Sequence, residues 1–562
     1  MKRLRGAFPL RRAVLLAVIP AVAGLQLAGL TPAHAGIGLP GCPSATDWPM
    51  FGHDPGRSFS SPDTCIGAVG AATLRPKWFF NTSAPVTAQP AVVGGTVYVG
   101  DFTGKFHALN AADGSERWSF DIHNCNSGHA CDNDHVDYAA IDDSAAVTTI
   151  GHGTRQVVVF GGGATLFVLD AGTGSQVAAL CLDRVDPSCQ GGSGYTTEIE
   201  SSPVVSQNGH GDFEIFTGTD VNEHSPAGPT GLYDITLSPS GTLTPNWQFD
   251  PETGVTTHGL PAVQHAPGIE HGCGDVWSSP TIVGDLIVFG TGNCDQPNLV
   301  ASTSTDKHVE STFAVHRADG TKAWQATPHA PYQCDAAGNC SGFDLDFGAT
   351  ANALPSTGLN SPVVGAGGKD GVYYAYNADG TLNWKTQVAT ASDIGGMIGS
   401  TAVGRLGSLH GNHPAVFADT AIPVSDIDPQ TSLQNDLLHP NQAFGVHAID
   451  AVTHQVAWDL PALPTYGAAV YNNGVVFVPD TVMDSLLALD ADTGAILRIQ
   501  PLDAPPSSPV AISGNSLYMG AGTTEAGASA LTDPTALLTD PSGTAFGTLS
   551  GLGGVWGFTT TP

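Results

Sequence analysis

Cationic side chains are scarce in this sequence: 19 Lys and Arg stand against 51 Asp and Glu in 562 residues. Five of those cations, Lys2, Arg3, Arg5, Arg11 and Arg12, crowd the N-terminus, which leaves only 14 for everything after it. Such an acidic surface repels nucleic acid and anionic membrane, so neither is expected as a partner. Long apolar runs are lacking too. After the first 35 residues no segment approaches the roughly 20 unbroken apolar residues that a transmembrane helix needs, and no membrane span is expected there. Sustained helical periodicity is missing from the same region, which argues against an α/β enzyme. No Cys-x-x-Cys-His occurs, so no covalently attached haem is expected. No Gly-x-Ser-x-Gly elbow supports a hydrolase.

What the N-terminus does contain is a leader. Its cations precede the apolar stretch Ala13 to Ala23 and end at Ala33-His34-Ala35. That is the pattern of a secretory signal peptide with an Ala-x-Ala cleavage site, so residues 1–35 are set aside from the fold. The apolar core is short and soon followed by Pro32, which speaks against a membrane anchor. The expected location is secreted: extracellular, or periplasmic where an outer membrane exists. Arg11-Arg12 leaves a twin-arginine route open beside the general secretory one.

All ten cysteines follow the leader in five neighbouring couples: Cys42 with Cys65, Cys125 with Cys131, Cys181 with Cys189, Cys273 with Cys294, and Cys334 with Cys340. An even count after a leader points to disulfides in an oxidising compartment. Adjacency suggests this pairing, and the sequence leaves connectivity open. A thiolate metal site is the rival, without any Cys-x-x-Cys spacing in its favour.

The strongest signal is a repeat. A small residue and Pro lead into an alternating apolar strand, then come a Gly turn, a second strand, and an Asp/Asn-x-x-x-Gly turn followed by Trp. The clearest copy runs from Gln89-Pro90-Ala91-Val92-Val93 through Val97-Tyr98-Val99-Gly100 and Asn110-Ala111-Ala112-Asp113-Gly114 to Trp118. Similar turns lie at Asp170 to Gly174, His316 to Gly320, Asn377 to Gly380 and Asp490 to Gly494, with a weaker one at Asp450 to His454. Trp247, Trp324, Trp384 and Trp458 hold the place of Trp118. Short Val-, Tyr- and Phe-rich strands bounded by Gly and Asp are antiparallel meander chemistry. Gly supplies positive φ in each turn, and each Trp buries a large face between neighbouring sheets.

About eight such units fit the chain, which predicts an all-β fold: an eight-bladed β-propeller of four-stranded antiparallel blades, one domain over residues 36–562. The last unit, reaching Gly553-Gly554-Val555-Trp556, is expected to close the ring with residues around Trp48 to Phe51, removing exposed edges. Residues 119–143, 181–200, 253–276, 326–358 and 521–552 read as long loops, the first four crowding one face.

Several segments resemble the pyrroloquinoline-quinone (PQQ) alcohol dehydrogenases, the polyvinyl-alcohol dehydrogenase type without a haem domain being nearest. They are Asp47-Trp48-Pro49-Met50-Phe51-Gly52-His53, Asp275-Val276-Trp277-Ser278-Ser279-Pro280 leading to Gly290-Thr291-Gly292-Asn293, and Lys369-Asp370-Gly371-Val372-Tyr373-Tyr374-Ala375. The resemblance implies a central cofactor funnel. Trp277 matches the Trp on which the quinone lies. Glu223 and Asn293 match metal ligands, and Asp344 matches the acid that contacts the metal and serves as catalytic base. Hard oxygen ligands suit Ca²⁺. Asp346, two positions beyond Asp344, resembles the branch that uses a lanthanide, and the choice stays open. Lys369 matches the cation beside the quinone oxygens. Ser201 and Ser202 align with hydroxyl residues that hold the cofactor carboxylates. Two features depart from the pattern: a vicinal Cys-Cys pair is replaced by Cys125 and Cys131, and residues 119–145 contain no Arg to bind a cofactor carboxylate.

The resemblance implies oxidation of an alcohol to a carbonyl compound, with a separate electron acceptor such as a cytochrome c. The alternative is a non-catalytic propeller that binds a protein or polysaccharide, since propellers host many functions.

Overall fold

The structure is a computed structural model that describes residues 46–561 apart from 126–129, 134–138, 152, 192–196, 209–210, 221–229, 261–273, 293–309, 330–332, 335–339, 342–344, 356–361, 392–395, 422–444, 462–464, 482–483 and 523–552. The leader lies outside the described residues.

Alternation of apolar and small residues over four to six positions, broken by Gly turns, gives sheets of four short strands. Blade one is Ala91–Val93, Thr96–Gly100, Lys105–Asn110 and Glu116–Asp121, each strand antiparallel to the next. Seven further blades repeat this order, and the ring is an eight-bladed β-propeller. Their inner strands are Ala146–Ile150, Val204–Gln207, Thr281–Val283, Asn352–Ala353, Ala402–Arg405, Val470–Asn472 and Ala511–Ser513. Blade three gains a fifth strand, Val255–His258, from a stretch that reads in sequence as loop.

Neighbouring blades are locked by the Trp of one against the positive-φ turn of the next. A Cβ added to Gly174 would lie 2.5 Å from Trp118, and the same close approach joins Gly114 to Trp78, Gly320 to Trp247, Gly380 to Trp324 and Gly494 to Trp458. Any side chain on these glycines would occupy the space of the indole. Four of the indoles also donate Nε1–H to an Ala carbonyl of the next blade: Trp78 to Ala111, Trp118 to Ala171, Trp324 to Ala378 and Trp458 to Ala491.

Closure of the ring differs from the sequence expectation. Arg75–Asn81 pairs antiparallel with Gly554–Thr559 and completes blade eight. Residues 48–63 form instead a strap along the inner strands. Trp48 bridges to Val92 of blade one, and Val147 N–H donates to the Pro49 carbonyl. Ile282, Ala353, Val403 and Tyr471 then donate in turn to Pro55, Gly56, Ser58 and Phe59. Gly514 of blade eight donates to Asp63. Arg57, fully buried, gives its guanidinium to the carbonyls of Phe51, Pro280 and Ser202, the last at the start of blade three. The strap thus touches all eight blades. It carries no strand periodicity in sequence because its partners follow one another around the ring rather than along one strand.

Cys125–Cys131 and Cys181–Cys189 are disulfides, as adjacency suggested, and Cys65 is also disulfide-bonded. Cys334 stands opposite Cys340 in a two-stranded backbone ladder. Cys42, Cys273 and Cys294 lie outside the described residues.

Candidate active site

Strand alternation decides which residues can meet. In each blade the first strand begins, the second ends and the third begins at one face of the disc, while the Trp-binding turns lie at the opposite face. Trp277 precedes the inner strand of blade four, and Gly292 follows its second strand, Leu286–Gly290. Asp346 precedes the inner strand of blade five, and Lys369 lies between that blade's second and third strands, Val364–Gly367 and Val372–Tyr376. All four therefore arrive at one end of the channel.

There they touch. Lys369 Nζ donates to Asp346 Oδ2 at 2.7 Å and sits 6.0 Å from the centre of the Trp277 ring. Lys369 N–H donates to the Asp346 carbonyl at 3.0 Å, so backbone and side chain hold the pair together. Lys369 and Asp346 side chains are only 11% and 7% exposed. A buried ion pair returns little stability after its desolvation cost, so its presence here is better explained by what it does.

The Trp277 indole is held by close backbone approach. A Cβ on Gly348 would fall 1.5 Å from its Cη2, and one on Gly292 3.0 Å from its Nε1. Val276 N–H donates to the Thr219 carbonyl, Gly292 N–H to Asp275 and Phe347 N–H to Thr291, tying blades three, four and five around the ring. The neighbouring Asp370 is shifted upward by burial, although it accepts a 2.5 Å hydrogen bond from the Tyr374 hydroxyl. Burial, with the Asp370 charge, pushes Tyr374 upward in turn, which keeps that hydroxyl a donor. Sequence reasoning passed over Gly348 and Tyr374. Only the small residue two positions beyond Asp346 hinted at the first.

Ser201 and Ser202 reach this end of blade three, but they serve the ring. Ser201 Oγ–H donates to the Ser278 carbonyl at 3.0 Å. Ser202 Oγ belongs to a belt in which each blade's N–H donates to the next blade's hydroxyl: Gln89 to Ser144, Ser144 to Ser202, Ser202 to Ser279, Ser279 to Thr350 and Thr350 to Ser400. Glu223, Asn293 and Asp344 lie outside the described residues. The described strands on either side of Glu223 and of Asn293, Phe213–Thr219 with Gly231–Leu237 and Leu286–Gly290 with Thr312–His316, meet at the Trp277 end. Among the described residues no three His, Cys, Asp or Glu side chains converge as a metal site.

The described donors suit a planar, anionic ring. Trp277 is a partly exposed aromatic plate with glycine against its edge, and Lys369 supplies a fixed cation near its face.

A family model described as "Glucose/ethanol/alcohol dehydrogenase, beta-propeller domain", of the PQQ type, matches residues 48–381. No curated protein matches the sequence. Among solved structures, the chain is similar to a quinohemoprotein alcohol dehydrogenase from Comamonas testosteroni, with 17% identity, a TM-score of 0.60 and coverage of 91% of this chain and 80% of that one. It is similar to a europium-containing methanol dehydrogenase at 15% identity and a TM-score of 0.58, covering 91% and 98%. A quinohemoprotein alcohol dehydrogenase from Pseudomonas putida HK5 gives 16% and 0.60, covering 91% and 80%. At such identities the structural likeness is one of fold, whereas the sequence match spans more than half of the chain. The chain belongs to the PQQ β-propeller family of glucose, ethanol and alcohol dehydrogenases.

Proposed function

We propose that this protein is an exported PQQ-dependent dehydrogenase that oxidises an alcohol, polyvinyl alcohol or another secondary alcohol, and passes electrons to a separate acceptor such as a cytochrome c. The observation that carries the reading is the Lys369 ammonium, bonded to Asp346 and poised near the face of Trp277.

In this reading Trp277 carries the flat quinone on its indole face, and Lys369 lies beside the quinone oxygens. Glu223, Asn293 and Asp344 hold Ca²⁺ or a lanthanide. Asp346 joins them in the lanthanide case and otherwise anchors Lys369. When bound, PQQ supplies the two-electron acceptor for hydride, and its metal supplies Lewis acidity. Asp344 accepts the hydroxyl proton of the alcohol as the carbonyl forms. Lys369 offsets negative charge where it develops, a fixed donor in a site shielded from water. Ser202 supports the site through the belt, and Ser201 through its bond to the Ser278 carbonyl.

The test is reconstitution of the purified protein with PQQ and either Ca²⁺ or a lanthanide, followed by absorption and by dye reduction across several alcohols. Bound-quinone absorption with alcohol-dependent dye reduction is expected. Asp344→Asn should keep the fold and lose turnover. Full activity in that variant, or no PQQ binding by the wild type, overturns the assignment.

A further inference from the structure

Two residues before the third strand of blade four, Thr312–His316, stands Glu310, and its side chain is wholly buried. Its backbone is left-handed, at φ +48°. The propeller repeat asks for positive φ at this position. In blades one and five the equivalent residues are Gly104 and Gly371, at φ +82° and +73°, and in blade seven Asp484 stands there at +46°. Glycine meets the backbone requirement without strain, so a glutamate in this place is held for its side chain.

Backbone and side chain together join two walls of the site. Glu310 N–H donates to the Gly292 carbonyl at 3.0 Å, and Gly292 lies against the edge of Trp277. Glu310 Oε1 accepts the Leu345 N–H at 3.4 Å, next to Asp346. Oε2 faces His329 Nδ1 at 3.6 Å, and the His329 ring lies parallel to Phe347, with 5.9 Å between centroids. Glu310 therefore bridges the two: its backbone is fixed to the end of blade four's second strand, and its buried carboxylate reaches the segment that carries Asp346 into blade five. By chain continuity, Gly292 precedes Asn293 and Leu345 follows Asp344.

We propose that Glu310 is a positioning residue of the cofactor site, setting the separation between the Trp277 wall and the acidic segment through Gly292 and Leu345. It touches neither substrate nor cofactor. The inference rests on the dehydrogenase reading and deepens it. A group that orients ligands from behind is worth about 10- to 100-fold in affinity or activity.

The test uses the whole protein and two variants. Glu310→Gly removes the side chain but suits the backbone, so its melting temperature is expected to stay close to that of the wild type. Its apparent affinity for PQQ, titrated by absorbance in the presence of Ca²⁺, should fall by about 10- to 100-fold. The loss should appear in kcat more than in KM for the alcohol, because the alcohol itself meets no part of Glu310. Glu310→Gln keeps an acceptor for Leu345 N–H and should recover most of the affinity. Wild-type affinity and kcat in Glu310→Gly overturn the positioning role while leaving the dehydrogenase reading intact. So does a loss that follows a fall in melting temperature and is not rescued by Gln. A wild-type protein that neither binds PQQ nor turns over overturns the dehydrogenase reading, and this inference with it.

Discussion

The strap and the Trp277 end of the channel solve the problem of buried polar groups in opposite ways. In the strap, the buried cation Arg57 is answered by backbone carbonyls from the strap itself, blade three and blade four. Burial lowers its pKa to about 9, against the favourable charge of Asp54, so the guanidinium stays protonated at neutral pH. At the Trp277 end, side chains answer side chains: Lys369 meets Asp346, Tyr374 meets Asp370, and Glu310 faces His329. Carbonyls are fixed by the fold and cannot change partner. Charged side chains can be exchanged, displaced or protonated, at the cost of a weaker contribution to stability. If the proposed reading holds, the strap carries the architecture and the Trp277 end the chemistry, and substitutions in the two should separate stability from activity.

The sharpest break in that comparison is Arg57→Met. It removes charge-assisted hydrogen bonds to three carbonyls, those of Pro280 and Ser202 buried and that of Phe51 part-buried, and each such bond is worth roughly 1.5–3 kcal/mol. The strap should loosen around the whole ring, with a large fall in melting temperature by calorimetry. PQQ affinity per folded molecule should change little, since Arg57 bonds only backbone carbonyls and none of the Trp277, Asp346 or Lys369 side chains. A variant that melts like the wild type would dissolve the division between strap and site.

How legible each region was follows from how local its contacts are. The Trp-to-Gly lock could be read because Trp and turn recur at fixed spacing, as at Trp118 and Gly174. The strap could not. Trp48 to Phe51 looked like the missing strand because they are apolar, while the true closing strand, Arg75–Asn81, is disguised by Pro76 and Lys77. Arg57 reads in sequence as one more surface cation. Its burial becomes evident only when blades three and four are brought beside it. The site was legible as residue types through family resemblance: Trp277, Asp346 and Lys369 do meet. Glu310 was invisible because its meaning depends on Gly292 and Leu345, which the chain brings to it from two separate loops.

A middle-sized effect is expected from Gly348→Ala. The added Cβ would overlap Trp277 Cη2, so the indole or the segment after Asp346 must move. Because Gly348 lies at the functional end, away from the strap and the Trp locks, the loss should fall on the cofactor. PQQ titration by absorbance should show weaker binding, while the melting temperature drops by much less than in Arg57→Met. The reverse order of the two temperature shifts would show that the Trp277 wall supports the ring as much as the strap does.

The smallest effect lies at a Trp lock built without glycine. Where blades one, two, four, five and seven place Gly, blade six has His454 at φ +59°, and its ring stacks on Trp384 at 5.0 Å and 11°. The Trp384 Nε1–H finds no acceptor among the described residues, unlike that of Trp118 or Trp458. The left-handed backbone costs about 1–2 kcal/mol, and the stacked rings return about 0.5–1.5 kcal/mol. His454→Ala keeps the cost and loses the return, so it should destabilise by roughly 1 kcal/mol. His454→Gly loses the ring but also the strain, and should melt closer to the wild type than Ala does. If Ala and Gly fall together, the ring and not the backbone governs this joint, and blade six is held by a contact of its own rather than by a worn copy of the repeat.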